Sequence, residues 1–283
     1  MQFVKATQSS FKLRICFGGP TGAGKTYTAL TFATALGSRV AVIDTERGSA
    51  RRYAAQFPFD VLELAPPFHP KRYVEAIAAA EAAGYEVIVI DSLSHAWQGE
   101  GGLLEIVEDA AARMKTQNTF AAWREGTPIQ QRFINGILQS RAHVVCTVRS
   151  KMEYALQDDA GKKTVVKLGL APVQRGDIEF EFDVYAELDQ KHNLLISKSR
   201  YAPLDQQVIR NPTGEVAREL LAWSRGDGTP APVVATPAWK LRIAELSTDT
   251  RLPEAWREKL KTTEWTETEA QRAIAGCEKQ LKG

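Results

Sequence analysis

Five short runs of aliphatic and β-branched residues, "LRICFGG" (13–19), "RVAVIDT" (39–45), "DVLELA" (60–65), "EVIVIDS" (86–92) and "AHVVCTV" (142–148), are separated by stretches of helical periodicity such as "KTYTALTFATAL" and "YVEAIAAAEAAG". Near-continuous apolar runs read as strands buried on both faces, and helices between them are the connections that parallel strands require. The expected fold is therefore α/β, with a mostly parallel central sheet. In "TPIQQRFINGILQSR", Thr127 reads as a helix N-cap and Pro128 as the first helical residue. Ile129, Phe133 and Ile137 then line one face.

After residue 177 the pattern changes. "DIEFEFDVYAELDQKHNLLISKSR" alternates apolar and polar residues around "DQKHN", which reads as a late antiparallel hairpin. "GDGTPAPVVATP" (226–237) has the composition of a linker. The expected organisation is a core at 1–225, a linker at 226–237 and a small helical unit at 238–283. In that unit Trp239, Ile243 and Leu246 form one apolar stripe, and Ala270, Ile274, Cys277 and Leu281 another. Thr266 with Glu269 fits a capping box.

Charge and cysteine content narrow the function classes. A net charge of +2 over 283 residues excludes a global polycationic field, so contact with nucleic acid would need local basic segments. Cys16, Cys146 and Cys277 are widely spaced and form no metal-binding pair, which points to reduced thiols in a cytoplasm-like compartment. "MQFVKATQSS" has no apolar leader core and no run reaches membrane-spanning length, so a soluble protein without a membrane partner is expected.

The chemistry is concentrated in "GGPTGAGKT". Gly19-x-x-x-x-Gly24-Lys25-Thr26 follows an expected strand and opens an expected helix, the context that makes this spacing a phosphate-binding P-loop. Glycines let backbone N–H groups curl round a phosphate, and the helix N-terminus adds partial positive charge. Gly19, Pro20, Thr21, Gly22, Ala23, Gly24, Lys25, Thr26 and Tyr27 form the expected contact set for ATP. Lys25 would reach the β/γ oxygens and Thr26 would ligate Mg²⁺. Asp91 ends the apolar run "VIVID", where a carboxylate can hold the same metal. Asp44 and Glu46 sit at the C-terminal end of the expected strand that follows the P-loop helix. Glu46 in that place could polarise an attacking water, contact a ribose or remain a solvated acid. His69 and His143 carry no functional signal, and His143 on an apolar strand reads as a core residue.

Together these stretches resemble the RecA-like branch of P-loop ATPases, in which the catalytic glutamate stands in an "IDxE" setting matched by "IDTE" at 43–46. More closely, the chain is similar to phage and prophage AAA-type ATPases with a bare RecA core. Some of those act as single-strand DNA recombinases or annealing proteins. The similarity lies in "FVKA", "GPTGAGKTYTAL", "VIDTERGSA", "IDSLSHAWQGEGG", "TVRSKMEY", "QRGDIEFEF" and "SKSRY", which span most of 1–225. It implies Mg²⁺-dependent ATP hydrolysis at the interfaces of a homo-oligomer, filament or ring, in a bacterial cytoplasm. It also implies single-stranded DNA and phage or host replication proteins as partners. Glu46 would be the base. Lys198 and Arg200, at an i, i+2 spacing, would meet the γ-phosphate of a neighbour's ATP.

The resemblance further implies that two loops face DNA: 92–102 with Trp97, and roughly 150–176 with Lys151, Lys162, Lys163, Lys167 and Arg175; by the residues alone, a solvated hairpin with the Trp buried elsewhere fits equally well. In place of RecA's γ-phosphate-sensing glutamine the chain has "CTVRSK", which leaves Thr147 or Arg149 for that role. Phe3 and Ala6 match a short F-x-x-A docking plug. Two other classes fit a P-loop core: a nucleotide or small-molecule kinase, and an adaptor that loads a helicase through the 238–283 tail.

Overall fold

The computed structural model describes residues 3, 5, 9–114, 118–159, 162–226, 238–263 and 267–282, except for the side chains of 152–159, 162–170, 238–241, 267–268 and 282. Its contacts divide the chain into two compact units, Met1–Val233 and Val234–Gly283.

The larger unit is built on a nine-stranded sheet. Strand β1 (Arg14–Gly19) feeds helix α1 (Lys25–Leu36), which returns the chain to β2 (Val40–Asp44). There follow β3 (Asp60–Glu63), α2 (Pro70–Ala82) and β4 (Val87–Asp91). Helices α3 (Ser94–Gln98), α4 (Leu103–Ala112) and α5 (Thr119–Leu138) then lead to β5 (His143–Asp159) and β6 (Lys162–Pro172). The chain closes with β7 (Val184–Leu188), β8 (Asn193–Ser199), β9 (Val208–Arg210) and α6 (Gly214–Arg225). The sheet order is β3-β2-β4-β5-β1-β7-β8-β9, with β6 paired to β5. Pairing is parallel from β3 through to β7; the β7–β8, β8–β9 and β5–β6 pairs are antiparallel. This is the α/β architecture expected, with its late hairpin at β7–β8.

Strand alternation sends side chains to two cores. Ile15 and Phe17 join Leu30, Phe32 and Leu220 on one face of the sheet. Cys16 joins Ile88, Ile90, Tyr73 and Phe133 on the other. Cys16 and Cys146 are partners in the β1–β5 register, both fully buried. Helix α2 is capped by His69, whose Nδ1 accepts the Lys71 N–H at 3.1 Å, with Pro70 in the first turn.

Four local expectations are corrected. Helix α5 does not begin at Thr127 and Pro128; it begins at Thr119, where Asn118 Oδ1 accepts the Ala121 N–H, and runs through the proline. Ala122 upstream and Phe133 and Ile137 downstream are buried, so packing on both sides outweighs the backbone bond Pro128 cannot make. The 92–102 stretch is not an open loop, since it contains α3. The 150–176 stretch is mainly a long hairpin, because β5 continues past Val148 and pairs with β6. In the late hairpin, residues Ile178–Glu181 form a 3₁₀ turn rather than strand.

The smaller unit contains α7 (Ala238–Thr248), α8 (Glu254–Thr262) and α9 (Glu267–Lys282). Ile243, Leu246, Leu252, Leu260, Ala270 and Cys277 form its core. The Trp239 side chain, Thr266 and linker residues 227–237 lie outside the described residues, as does Ala6; Phe3 is fully exposed. Among the described residues no helix is long and apolar enough to cross a membrane.

Candidate active site

Parallel strands place their carboxyl ends at one edge of a sheet, and loops leaving that edge can converge on a ligand. Here β1, β2, β4 and β5 do so. Gly19 stands in register with Arg149, and Asp44 with Asp91. Between them opens a cleft of about 890 Å³, bordered by Lys25, Thr26, Glu46, Asp91 and Arg149.

The P-loop takes a shape only glycine permits at two points. Gly19 has φ +152°, and a Cβ there would stand 2.6 Å from the Leu188 carbonyl oxygen. Gly24 has φ +86° at the N-cap of α1. Lys25 Nζ donates to the carbonyls of Gly19 (2.9 Å) and Pro20 (2.8 Å), so the ammonium is held over the loop it must serve. Burial lowers its pKa, against the pull of Asp91 and Glu46. Tyr27 is 45% exposed on the cleft wall, edge-on to Tyr53.

Asp91 is almost wholly buried, and both its oxygens are held: Thr26 Oγ1 donates to Oδ2 at 2.7 Å and Thr147 Oγ1 to Oδ1 at 2.5 Å. Burial raises its pKa, although the two hydroxyls oppose that shift. A hydroxyl and a carboxylate on one spot are hard oxygen donors of the kind Mg²⁺ takes when phosphate oxygens and water complete its shell. The described residues contain no cluster of three His, Cys, Asp or Glu able to hold a metal without such help. Thr26 and Asp91 thus fit the metal that the P-loop implies.

Glu46 reaches the cleft from the β2 end. Asp44 shapes that loop, its Oδ1 accepting the Glu46 N–H (2.6 Å) and its Oδ2 the Ala50 N–H (2.9 Å). The Glu46 carboxylate is paired with Arg149. Nε donates to Oε1 at 2.9 Å, the second guanidinium nitrogen engages Oε2, and Ser92 Oγ donates to Oε1 at 3.1 Å. Burial alone would raise the Glu46 pKa; Arg149, with His95 and Ser92, outweighs it and holds the value below normal. Thr147, fully buried against Asp91, does not border the cleft, whereas Arg149 does.

Lys198 and Arg200 do not border this chain's own cleft. Lys198 Nζ donates to the carbonyls of Phe180 (3.1 Å) and Phe182, and burial followed by the charge of Arg200 lowers its pKa. Arg200 pairs with Asp183 at 2.9 Å. At the other end of the same hairpin His192 Nδ1 lies 3.2 Å from the Ala23 carbonyl and borders the cleft, a contact between residues 169 apart that no local pattern announces. Neither Ser92 nor His192 carries a local sequence signal for its place here, since each meets its partner only through the fold.

The DNA-facing set separates. Trp97 on α3 stacks on Trp123 of α5 (centroids 5.8 Å, 28°), and the Arg175 guanidinium lies 5.9 Å from the Trp123 ring centre. Lys151 and Arg175 are exposed; the side chains of Lys162, Lys163 and Lys167 on β6 lie outside the described residues. The hairpin root is tied to the α3 end by Arg149 N–H to Ser94 Oγ (2.9 Å) and Gln174 Nε2 to the Leu93 carbonyl (3.1 Å).

No curated protein matches the chain. A family model described as an AAA domain matches residues 12–215. That match runs from just before β1 into the first turn of α6 and takes in the whole cleft, so the chain belongs to the AAA domain family of P-loop ATPases.

Proposed function

We propose that the chain is a Mg²⁺-dependent ATPase of RecA-like arrangement that works as an oligomer on single-stranded DNA, each hydrolytic site being completed by Lys198 and Arg200 of a neighbouring copy. One observation carries this reading. Among the described residues the cleft brings together the 19–27 loop, the Thr26 and Asp91 oxygens and the Glu46 carboxylate, yet its second cation, Arg149, is engaged with Glu46, while Lys198 and Arg200 stand outside it. The stacked Trp97–Trp123 pair with Arg175, joined to the hairpin root, supports a nucleic-acid surface of stacking rings and cations.

The chain's residues divide the work. Lys25 leaves the Gly19 and Pro20 carbonyls for the β/γ oxygens. Thr26 Oγ1 and the Asp91 carboxylate would hold Mg²⁺, which when bound neutralises phosphate charge. A Glu46 carboxylate oxygen accepts a proton from water as the water oxygen bonds to the γ-phosphorus and the bond to the β-bridging oxygen breaks, giving ADP and phosphate. Lys198 and Arg200 from the neighbour offset the charge on the transferring group.

The test is the steady-state ATPase rate across protein concentration, with and without single-stranded DNA. A rate that rises with DNA, and more than linearly with protein, supports shared sites. A rate indifferent to both removes the oligomeric and DNA parts of the reading and favours an adaptor or a kinase.

A further inference from the structure

Glu46 and Arg149 pose a chemical conflict. A carboxylate that accepts two guanidinium hydrogen bonds and one from Ser92 is poorly placed to take a proton from water. A guanidinium occupied by a carboxylate is likewise poorly placed to meet a phosphate. The pair nonetheless borders the cleft, and Arg149 stands in register with Gly19, the first residue of the phosphate loop. Its main chain is fixed: the N–H is bonded to Ser94 Oγ and the carbonyl accepts the Val173 N–H. Its side chain is 44% exposed, against 22% for Glu46, and so has solvent to swing through.

We infer that the Glu46–Arg149 ion pair is a competitive lock on the site. Glu46 and the γ-phosphate compete for one guanidinium, so a triphosphate, but not a diphosphate, draws Arg149 away and releases Glu46 to act as base. Arg149 then determines specificity for triphosphate over diphosphate, and it positions the base only in the resting site. The inference rests on the reading of Glu46 as the base, but its energetics are those of binding alone.

Linkage supplies the test, because a ligand shifts an equilibrium only by its differential affinity for the two states. Equilibrium affinities for Mg²⁺-ADP and for a Mg²⁺-bound non-hydrolysable ATP analogue are compared in wild type, Glu46→Gln, Arg149→Gln and the double variant. Arg149→Lys serves as the conservative control. Glu46→Gln removes the competitor and should tighten the analogue about tenfold, a typical coupling magnitude, with ADP unchanged. Arg149→Gln should weaken the analogue by a similar factor with ADP unchanged, and Arg149→Lys should recover part of the loss.

The decisive arm is the double variant. If Glu46 merely repels the γ-phosphate, the gain from Glu46→Gln persists without Arg149. If the two compete for Arg149, it vanishes. Persistence, or equal weakening of both nucleotides in Arg149→Gln, overturns the lock. Wild-type protein that binds both nucleotides but turns over neither overturns the ATPase reading instead, and the affinity cycle still decides whether the competition exists.

Discussion

Thr26 and Asp91, 65 residues apart in sequence, are joined by a 2.7 Å hydrogen bond across the sheet edge, and the carboxylate that accepts it is almost wholly buried. A buried carboxylate is costly to keep ionised, and burial pushes this one up. Asp91→Asn removes that cost and keeps the shape. The variant should match or exceed wild-type Tm while losing Mg²⁺-dependent turnover by about two orders of magnitude or more. Thermal melts and ATPase assays on one preparation check both halves; a lower Tm with retained turnover would reverse the assignment.

Lys198→Ala and Arg200→Ala should each reduce turnover by about a hundredfold or more, as for a removed finger residue, with nucleotide affinity within about twofold of wild type. Arg200 also neutralises the buried Asp183, so Arg200→Ala carries a stability loss of about 1–3 kcal/mol that Lys198→Ala need not share. Arg200→Lys separates the effects by keeping charge near Asp183 while losing the guanidinium fork. Wild-type rates in Lys198→Ala and Arg200→Lys would place the transition-state cation elsewhere.

His143 accepts the Leu13 N–H through Nδ1 at 3.0 Å, and burial, aided by Lys12 and Arg14, brings its pKa to about 4 from 6.5. The unfolded chain therefore binds the extra proton first. Stability should be flat in this group above about pH 6.5, fall as the pH drops through that value, and stop falling below about pH 4. The total is up to about 3 kcal/mol. His143→Asn keeps an acceptor without titrating. Urea unfolding at several pH values should show a shallower decline in the variant between pH 6.5 and 4, and parallel curves would discard the assignment.

If the Trp97–Trp123 surface holds single strands, adding oligonucleotide should quench tryptophan emission. Each of Lys151→Ala and Arg175→Ala should then lower the slope of log affinity against log salt by about 0.7. Trp97→Ala should weaken binding by about 1–3 kcal/mol with the slope unchanged, as a lost stacking contact does. Slopes unchanged in both cation variants would move the interface away from α3 and the hairpin root.

What could be read in the sequence was what short stretches encode. The phosphate loop, the apolar strands and the strand-end carboxylates Glu46 and Asp91 each declare themselves within a few residues. The helix at 119–138 did not, because Thr127-Pro128 is a strong local start signal that only burial of Ala122 and Phe133 overrules. The β5–β6 segment stays open between a basic loop and a solvated hairpin in the sequence, because strand pairing is a property of two segments together. Arg149 meets Glu46 across 103 residues of chain, so its partner emerges only once β2 and β5 lie in one sheet. Such contacts are decided by topology, and topology by the packing of whole elements.

Cys16 and Cys146 sit side by side at the centre of the sheet, and burial raises both thiols well above their usual pKa. Thiolate, not thiol, is the nucleophile, so in the closed sheet both sulfurs should be silent to alkylating reagents. Any labelling of these two positions then counts the moments when the core that α2 and α5 share with the β1–β5 seam opens. That seam is also the stem of the phosphate loop and of Arg149, and a nucleotide that clasps the two should slow the reaction. The chain carries, in its own middle, a chemical clock for how often its catalytic edge comes open.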